Sequence, residues 1–250
     1  MKRIALLALS AAVLCCATDG ARADTLTVLC STGVKSVVEV LAPQFEKASG
    51  HKLNITYGAS NLIVKDIDGG KAFDVVVVTP PLIKELIKSG KVVDGSAVNL
   101  AKAGVGLAVK SGTPKPDIST TEGLKKALLN AKAVAYTTAG QSGMHFMTVI
   151  DKLGIANEVK AKGKTLPGGA IGDFVVKGEA DIAIQLVPEL MAVHGLDVVG
   201  PFPPEVQSYI VLTAGVSSKA SDKTAAEALI KFLSAPSALP LIKAKGLEPG

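Results

Sequence analysis

The residues best suited to chemistry in this chain are small hydroxyls, amides and glycines gathered in short turns. The stretch 55–61, Ile-Thr-Tyr-Gly-Ala-Ser-Asn, closes an apolar/polar strand pattern at Gly58, a residue free to take positive φ. It then passes to Ser60 and Asn61, good N-cap residues for a helix over 62–68. A helix N-terminus presents unpaired backbone N–H groups and a partial positive charge, so such a turn can hold a small oxyanion or carboxylate without a cationic side chain. Most turns of this kind only cap their helices. This one has company: Ser31, Thr32 and Gly33 close the strand before it, and Thr79 closes the strand after it. Further on, 137–143 is a Gly-rich polar turn that opens another helix, with backbone N–H at Gly140 and side chains at Gln141 and Ser142. His145 is expected in the first turn of that helix, over 144–153, where the macrodipole favours a neutral imidazole able to accept a proton. Packing between elements, or facing solvent, is the ordinary alternative to a ligand contact or a general base.

The elements that must position these turns follow from the apolar periodicity. A strand over 26–30, a helix over 34–48, a strand over 53–57, the helix over 62–68, a continuous β-branched strand over 74–78 and a helix over 81–89 make a β-α-β-α-β-α run. That order implies a parallel sheet with right-handed crossovers. All three polar turns then lie at the carboxyl ends of strands, where open α/β sheets bind ligands. A strand over 104–110 leads through a Gly/Pro-rich break into a second unit. It has helices over 121–129, 144–153 and 171–177, and strands over 133–136, 164–166 and 181–186. The turn over 167–170, ending in Ala170, and Gln185 near the end of the last strand belong to its polar edge. A strand over 208–214 and helices over 223–233 and 237–244 return the chain to the first unit. The fold class is α/β, with two lobes: 24–104 with 206–250, and 105–205, each a mostly parallel sheet flanked by helices, joined by two crossings that can hinge. A single continuous doubly wound sheet is the alternative.

Composition narrows the function. The first 23 residues show a basic end, an apolar run over 4–14 and Ala21-Arg22-Ala23, the pattern of a signal peptide cleaved after Ala23, which places the protein in the periplasm. Cys15 and Cys16 lack the preceding small residue of a lipobox, and Cys30 is then the only cysteine left, in an apolar strand where it reads as inert packing. Arg3 and Arg22 both fall in the leader, so the remaining chain has no arginine. Without that planar fork, nucleic-acid binding is not expected, and an acidic ligand must be held by Lys, hydroxyls or backbone N–H. His51, His145 and His194 lack paired spacing, so neither a metal nor another cofactor is expected.

Segments spread along the chain resemble a known family. Phe45-Glu46-Lys47-Ala48-Ser49-Gly50, Tyr57-Gly58-Ala59-Ser60, Phe73-Asp74-Val75-Val76-Val77, Gly178-Glu179-Ala180-Asp181 and Phe232-Leu233-Ser234-Ala235-Pro236 are similar in order and spacing to periplasmic solute-binding proteins of ABC importers. The resemblance is in particular to the molybdate-binding group. The resemblance implies a monomer with the type II periplasmic binding protein fold, a small anionic ligand in the cleft and an ABC permease as partner. It carries an oxyanion contact onto Ser60. The family's first-turn serine falls on Gly33 or Thr32, with Ser31 beside it. The tyrosine that the family places after the Gly-Glu-Ala-Asp strand falls on Gln185 or Leu186.

Two functions fit this reading. One is capture of a small oxyanion or carboxylate for an importer. The other is an enzyme on the same scaffold, since the family is similar to aconitate isomerase. That enzyme's allylic proton transfer needs only a cleft for carboxylates and one proton-carrying group, for which His145 is the candidate. Lys35 and Lys65, each just past a polar turn, are the candidate carboxylate partners.

Overall fold

The computed structural model describes residues 25–250; the leader, its cleavage position and Cys15 and Cys16 lie outside these residues. β1 (Thr25–Ser31) is buried on both faces from Val28 onward, as a central strand must be. α1 (Lys35–Ser49) carries the chain over to β2 (Lys52–Gly58), which pairs parallel with β1 in the register Leu26↔Leu53 to Ser31↔Gly58. α2 (Ser60–Asp68) leads to β3 (Val75–Val78) on the other side of β1, again parallel, with Val28 opposite Val75. Four consecutive valines in β3 are fully buried, and each such side chain contributes about 1.5–3 kcal/mol. α3 (Pro80–Lys88) completes the run read from the sequence.

Asp74 fixes the start of β3. Its carboxylate accepts hydrogen bonds from Thr27 N (2.7 Å), Ser221 N (2.7 Å) and Ser221 Oγ (2.9 Å), joining the first strand to the segment before the C-terminal helices.

β4 (Val98–Lys110) organises the two lobes. It begins six residues before the expected 104, because its first half alternates small and polar residues and carries little β-branched signal. The chain continues through α4 (Thr121–Asn130), β5 (Val134–Thr137), α5 (Gln141–Lys152), α6 (Ala156–Ala161), β6 (Gly163–Leu166), α7 (Gly172–Val176), β7 (Ile182–Leu186), α8 (Val187–Met191) and β8 (Leu196–Pro201). β9 (Tyr209–Val216), α9 (Lys223–Leu233), α10 (Leu239–Ala244) and β10 (Glu248–Pro249) close it. The first half of β4 pairs antiparallel with β9, ending at Gly104↔Tyr209. From Val105 its partners are β7 and β8. The strands therefore run in the order β2-β1-β3-β9-β4-β7-β5-β6, with β4 shared between two α/β lobes whose sheets are flanked by helices. The pairs β1/β2, β1/β3, β5/β6 and β5/β7 are parallel, and those made by β4 and β9 are antiparallel.

α6, α8, β8 and β10 were not expected from the sequence. Each is six residues or shorter, too brief for a periodic pattern to stand out.

Candidate functional site

The carboxyl ends of β1, β2, β5, β6 and β7 face one another across a small polar cavity. Ser31, Thr32 and Gly33 form its wall on one side, where the chain leaves β1 in a short 3₁₀ turn. An added Cβ on Gly33 would lie 2.9 Å from Leu186 Cδ1, so glycine lets that turn close against the end of β7. Ser60 heads α2, with Ala59 as N-cap and no side-chain capping bond. This corrects the expectation that Ser60 and Asn61 cap the helix and that Gly58 turns through positive φ: the helix starts at Ser60, and Gly58 keeps negative φ. Leu62 N and Ile63 N donate to the carbonyl oxygen of the N-cap Ala59 at 2.9 and 3.0 Å, and no side chain caps the N–H groups of Ser60 and Asn61 ahead of them.

The opposite wall is built the same way. α5 starts at Gln141, three residues before the expected 144, with Gly140 as N-cap and again no side-chain cap. The first turn of α5 sits directly on the end of β5: a Cβ on Gly143 would be 1.8 Å from the Thr137 carbonyl oxygen. Two uncapped helix N-termini, at Ser60 and at Gln141 and Ser142, thus converge on the cavity. Gly168, Gly169, Gln185, Leu186, Glu189 and Ile210 close it. The cavity has a volume of about 30 Å³, and beside it lies a crevice of about 270 Å³ bordered by Lys35, Glu39 and Ala170. Thr32, Gly169, Gln185 and Glu189 line both.

Ser31, Ser60, Thr137, Ser142 and Gln185 are each at least 95% buried. Thr137 Oγ1 and Gln185 Oε1 are buried with no hydrogen-bond partner among the described residues. The amide of Gln185 is oriented by Nε2, which donates to Gly169 O at 2.9 Å, so Oε1 is the atom left over. Among the described residues, Glu189 is the one ionisable residue in the cavity wall. Burial pushes its carboxyl above the usual carboxylate range, against weaker opposing help from the Thr32 hydroxyl, the Leu186 N–H (3.3 Å) and the Gln185 amide. Thr137 opens the polar turn read from the sequence without being among the expected site residues, and neither sequence pattern nor resemblance marks Glu189. The signal that could have found Glu189 is its place three residues past the end of β7, on the ligand edge of the sheet.

Of the residues expected at the site, Ser31, Thr32, Gly33, Ser60, Gly140, Gln141, Ser142 and Gln185 line the cavity. Asn61 stands at its mouth: Nδ2 donates to Ala139 O (3.1 Å), and Oδ1 accepts from Gln141 Nε2 (3.3 Å). Ala170 borders only the crevice. Thr79 is outside the lining, buried at the head of α3 with its carbonyl oxygen accepting from Ile83 N.

His145 is also elsewhere. Because α5 starts early, His145 lies in its second turn, with Nε2 2.8 Å from Val206 O and the ring tilted toward Phe202. A carbonyl oxygen only accepts, so that ring nitrogen carries the proton and donates it to the segment joining β8 to β9. Lys35 leans on the Tyr57 ring and pairs with Glu39 at 3.6 Å. Among the described residues no group of three or more His, Cys, Asp or Glu side chains could hold a metal ion.

The model of the bacterial extracellular solute-binding protein family matches residues 26–248. This chain belongs to that family. The binding protein is 33% identical over 231 residues to the aconitate isomerase of a Pseudomonas species, covering 90% of this chain and 88% of that one. It is 29% identical over 252 residues to the molybdate-binding protein of Azotobacter vinelandii, covering 96% and 94%. In structure it is similar to the sulfate-binding protein of Mycobacterium tuberculosis, with a TM-score of 0.74 at 21% identity over 90% of this chain and 87% of that one, a likeness of fold. The two-lobe architecture is that of type II periplasmic binding proteins.

Proposed function

We propose that this solute-binding protein captures a small anion in the cavity between the ends of β1, β2, β5 and β7 and delivers it to an ABC permease. The observation that carries the reading is the convergence of two uncapped helix N-termini on buried hydroxyls. Preorganised N–H and O–H donors in a water-poor site hold negative charge without a cation. Ser31, Thr32, Ser60, Thr137, Gln141 and Ser142 supply donors, and Gly33 and Gly140 let backbone approach. Residues 24–104 with 206–250, and 105–205, act as the closing lobes. Cleavage after Ala23 releases the protein as a periplasmic monomer.

The test is calorimetric titration of ligand-stripped protein with molybdate, tungstate, sulfate and di- and tricarboxylates. Saturable binding of one of them at micromolar concentration or tighter is expected. Absence of heat and of any melting shift with all of them would sink the reading.

A second reading draws on the 33% identity to aconitate isomerase. In an allylic isomerisation a proton leaves a methylene carbon to a base and one returns at the former vinyl carbon, with no redox change. His145 is not among the residues lining the cavity or the crevice, and its Nε2 is on the Val206 carbonyl, which speaks against it as the proton carrier. Glu189 is the protonatable group in the wall. Ultraviolet absorbance of trans-aconitate mixed with the protein decides this second reading, and a constant spectrum over hours would dismiss it.

A further inference from the structure

The cavity wall is rich in donors around its inner part, and its carboxyl and free amide oxygen stand together at one side, with the Thr32 hydroxyl beside them. Around the inner cavity stand the α2 and α5 N-termini and the hydroxyls of Ser31, Ser60 and Ser142, all able to donate. At the junction with the outer crevice stand Gln185 and Glu189, which line both spaces. Gln185 is 4% exposed, its Nε2 is committed to Gly169 O, and its Oε1 has no donor. A buried acceptor without a donor is unfavourable, so a ligand that brings an O–H to this point gains what a ligand without one forgoes. A fully ionised tetrahedral oxyanion brings none, and it is short enough to stay in the inner cavity.

We propose that Glu189 sets the selectivity of the cleft by sharing one proton with the ligand, so that the site takes a small polycarboxylic acid. One carboxylate of that acid is held by the inner donors and a second, protonated group reaches the Gln185–Glu189 junction. The inference rests on the anion-receptor reading of the cleft. Two carboxyl groups brought together do not both stay ionised, so the pair keeps one proton between them. Against a dianion with no proton to share, the Glu189 charge is repulsive, which is discrimination by a mismatched partner.

The charged groups facing Glu189 are few. Lys35 and Glu39 of α1 border the same crevice and pair with each other at 3.6 Å. Among the described residues, no other that lines either space is ionisable. Burial holds the Glu189 carboxyl above its ordinary range, so its proton is available nearer neutrality.

The experiment is calorimetric titration of the ligand-stripped protein with citrate, trans-aconitate and molybdate from pH 5 to 8, in HEPES and in Tris, alongside Glu189→Gln. Wild type is expected to bind a tricarboxylate more tightly than molybdate, to take up about one proton on binding, and to lose roughly tenfold in affinity per pH unit on the alkaline side. Glu189→Gln should flatten that pH dependence and raise molybdate affinity, which the Leu186 N–H bond to residue 189, a helix-capping role, would not do. Proton uptake is read on wild type alone, so the test stands even where the variant fails to fold. Equal heats in the two buffers, or tighter binding of molybdate than of either tricarboxylate, would overturn the inference and leave the receptor reading standing. No binding of any of the three probes or of sulfate by folded wild type removes the receptor reading, and this inference with it.

Discussion

Gln207 holds both backbone groups of Val105: its Oε1 accepts from Val105 N at 3.0 Å and its Nε2 donates to Val105 O at 2.9 Å. Val105 is the residue at which β4 exchanges its partner β9 for β7 and β8, so the Gln207 amide stands in for a strand at the change of sheets. It also ties the two crossings between the lobes to each other. Gly104 leaves room for it, since an added Cβ there would lie 3.2 Å from Gln207 Nε2. Gln207→Ala strands the Val105 N–H, while the Val105 carbonyl keeps its bond from Phe202 N at 2.9 Å, and should cost about 1–3 kcal/mol of unfolding free energy, read from urea midpoints. Gln207→Glu, which keeps the acceptor but loses the donor, should fall between. A loss under a few tenths of a kcal/mol would show that water replaces the amide freely.

Asn61 reaches across the cavity mouth to Ala139 O and Gln141 Nε2, from the head of α2 to the head of α5. These bonds form only when the two helix N-termini are close. Asn61→Ala should speed ligand dissociation by about 2- to 10-fold, the worth of a net hydrogen bond or so, with little change in the association rate. Stopped-flow with the tightest ligand from the titration panel measures both rates. A change confined to association would assign Asn61 to encounter and not to closure.

Much of this arrangement is legible in the residues and some is not. β1, β2, β3 and β5 are β-branched or alternating runs that close at Ser, Thr or Gly, so they and the polar turns after them can be read directly, whereas β7 is read from its apolar run and passes into α8 without a polar turn. Which turns meet cannot. Thr79 follows the same pattern as Ser31 and Ser60 yet lies outside the cavity, because nothing in the local sequence tells which strand ends the second lobe will face. Glu189 is invisible for a related reason: α8 is five residues long and its acidic residue looks like ordinary helix capping. His145 was misplaced by three residues of helix boundary, enough to turn it from the cavity to the Val206 carbonyl.

Asp74 accepts three hydrogen bonds at 2.7–2.9 Å while 7% exposed, and it joins β1, β3 and the segment leading into α9. Bonds to an ionised acceptor contribute more than neutral ones, and losing the carboxylate strands the Thr27 and Ser221 N–H groups. Asp74→Ala should therefore destabilise by about 2–5 kcal/mol, with two stranded N–H groups at about 1–3 kcal/mol each, and Asp74→Asn should fall between the variant and wild type. Thermal melts of both variants test the order, and an Asn variant as unstable as Ala would point to charge over geometry.

Cys30 is fully buried in the central strand, and burial pushes its thiol far above the ordinary range. The thiolate is the reactive species, so the native protein should stay unlabelled by a thiol-specific disulfide reagent for hours at pH 8 and react within minutes in denaturant. Labelling at a rate comparable to the denatured chain would mean that β1 opens locally.

Glu189 makes stability depend on pH in a direction opposite to most carboxylates. Its folded-state pKa is raised, chiefly by burial, above the roughly 4.3 of an unfolded glutamate. Between those two values the folded protein holds a proton that the unfolded chain has released, so rising pH favours unfolding across that window. Below the unfolded value both states are protonated and the group has no effect. Above the folded value the full penalty of a buried carboxylate is in place and stays constant. Glu189→Gln removes the titration while keeping the shape. The variant should therefore match wild type near pH 4 and become the more stable of the two as pH rises through the window, levelling above it. Urea midpoints in steps of half a pH unit trace the difference. A difference that does not vary with pH would mean that the carboxyl titrates alike in both states and that its cavity is wet enough to leave it an ordinary acid.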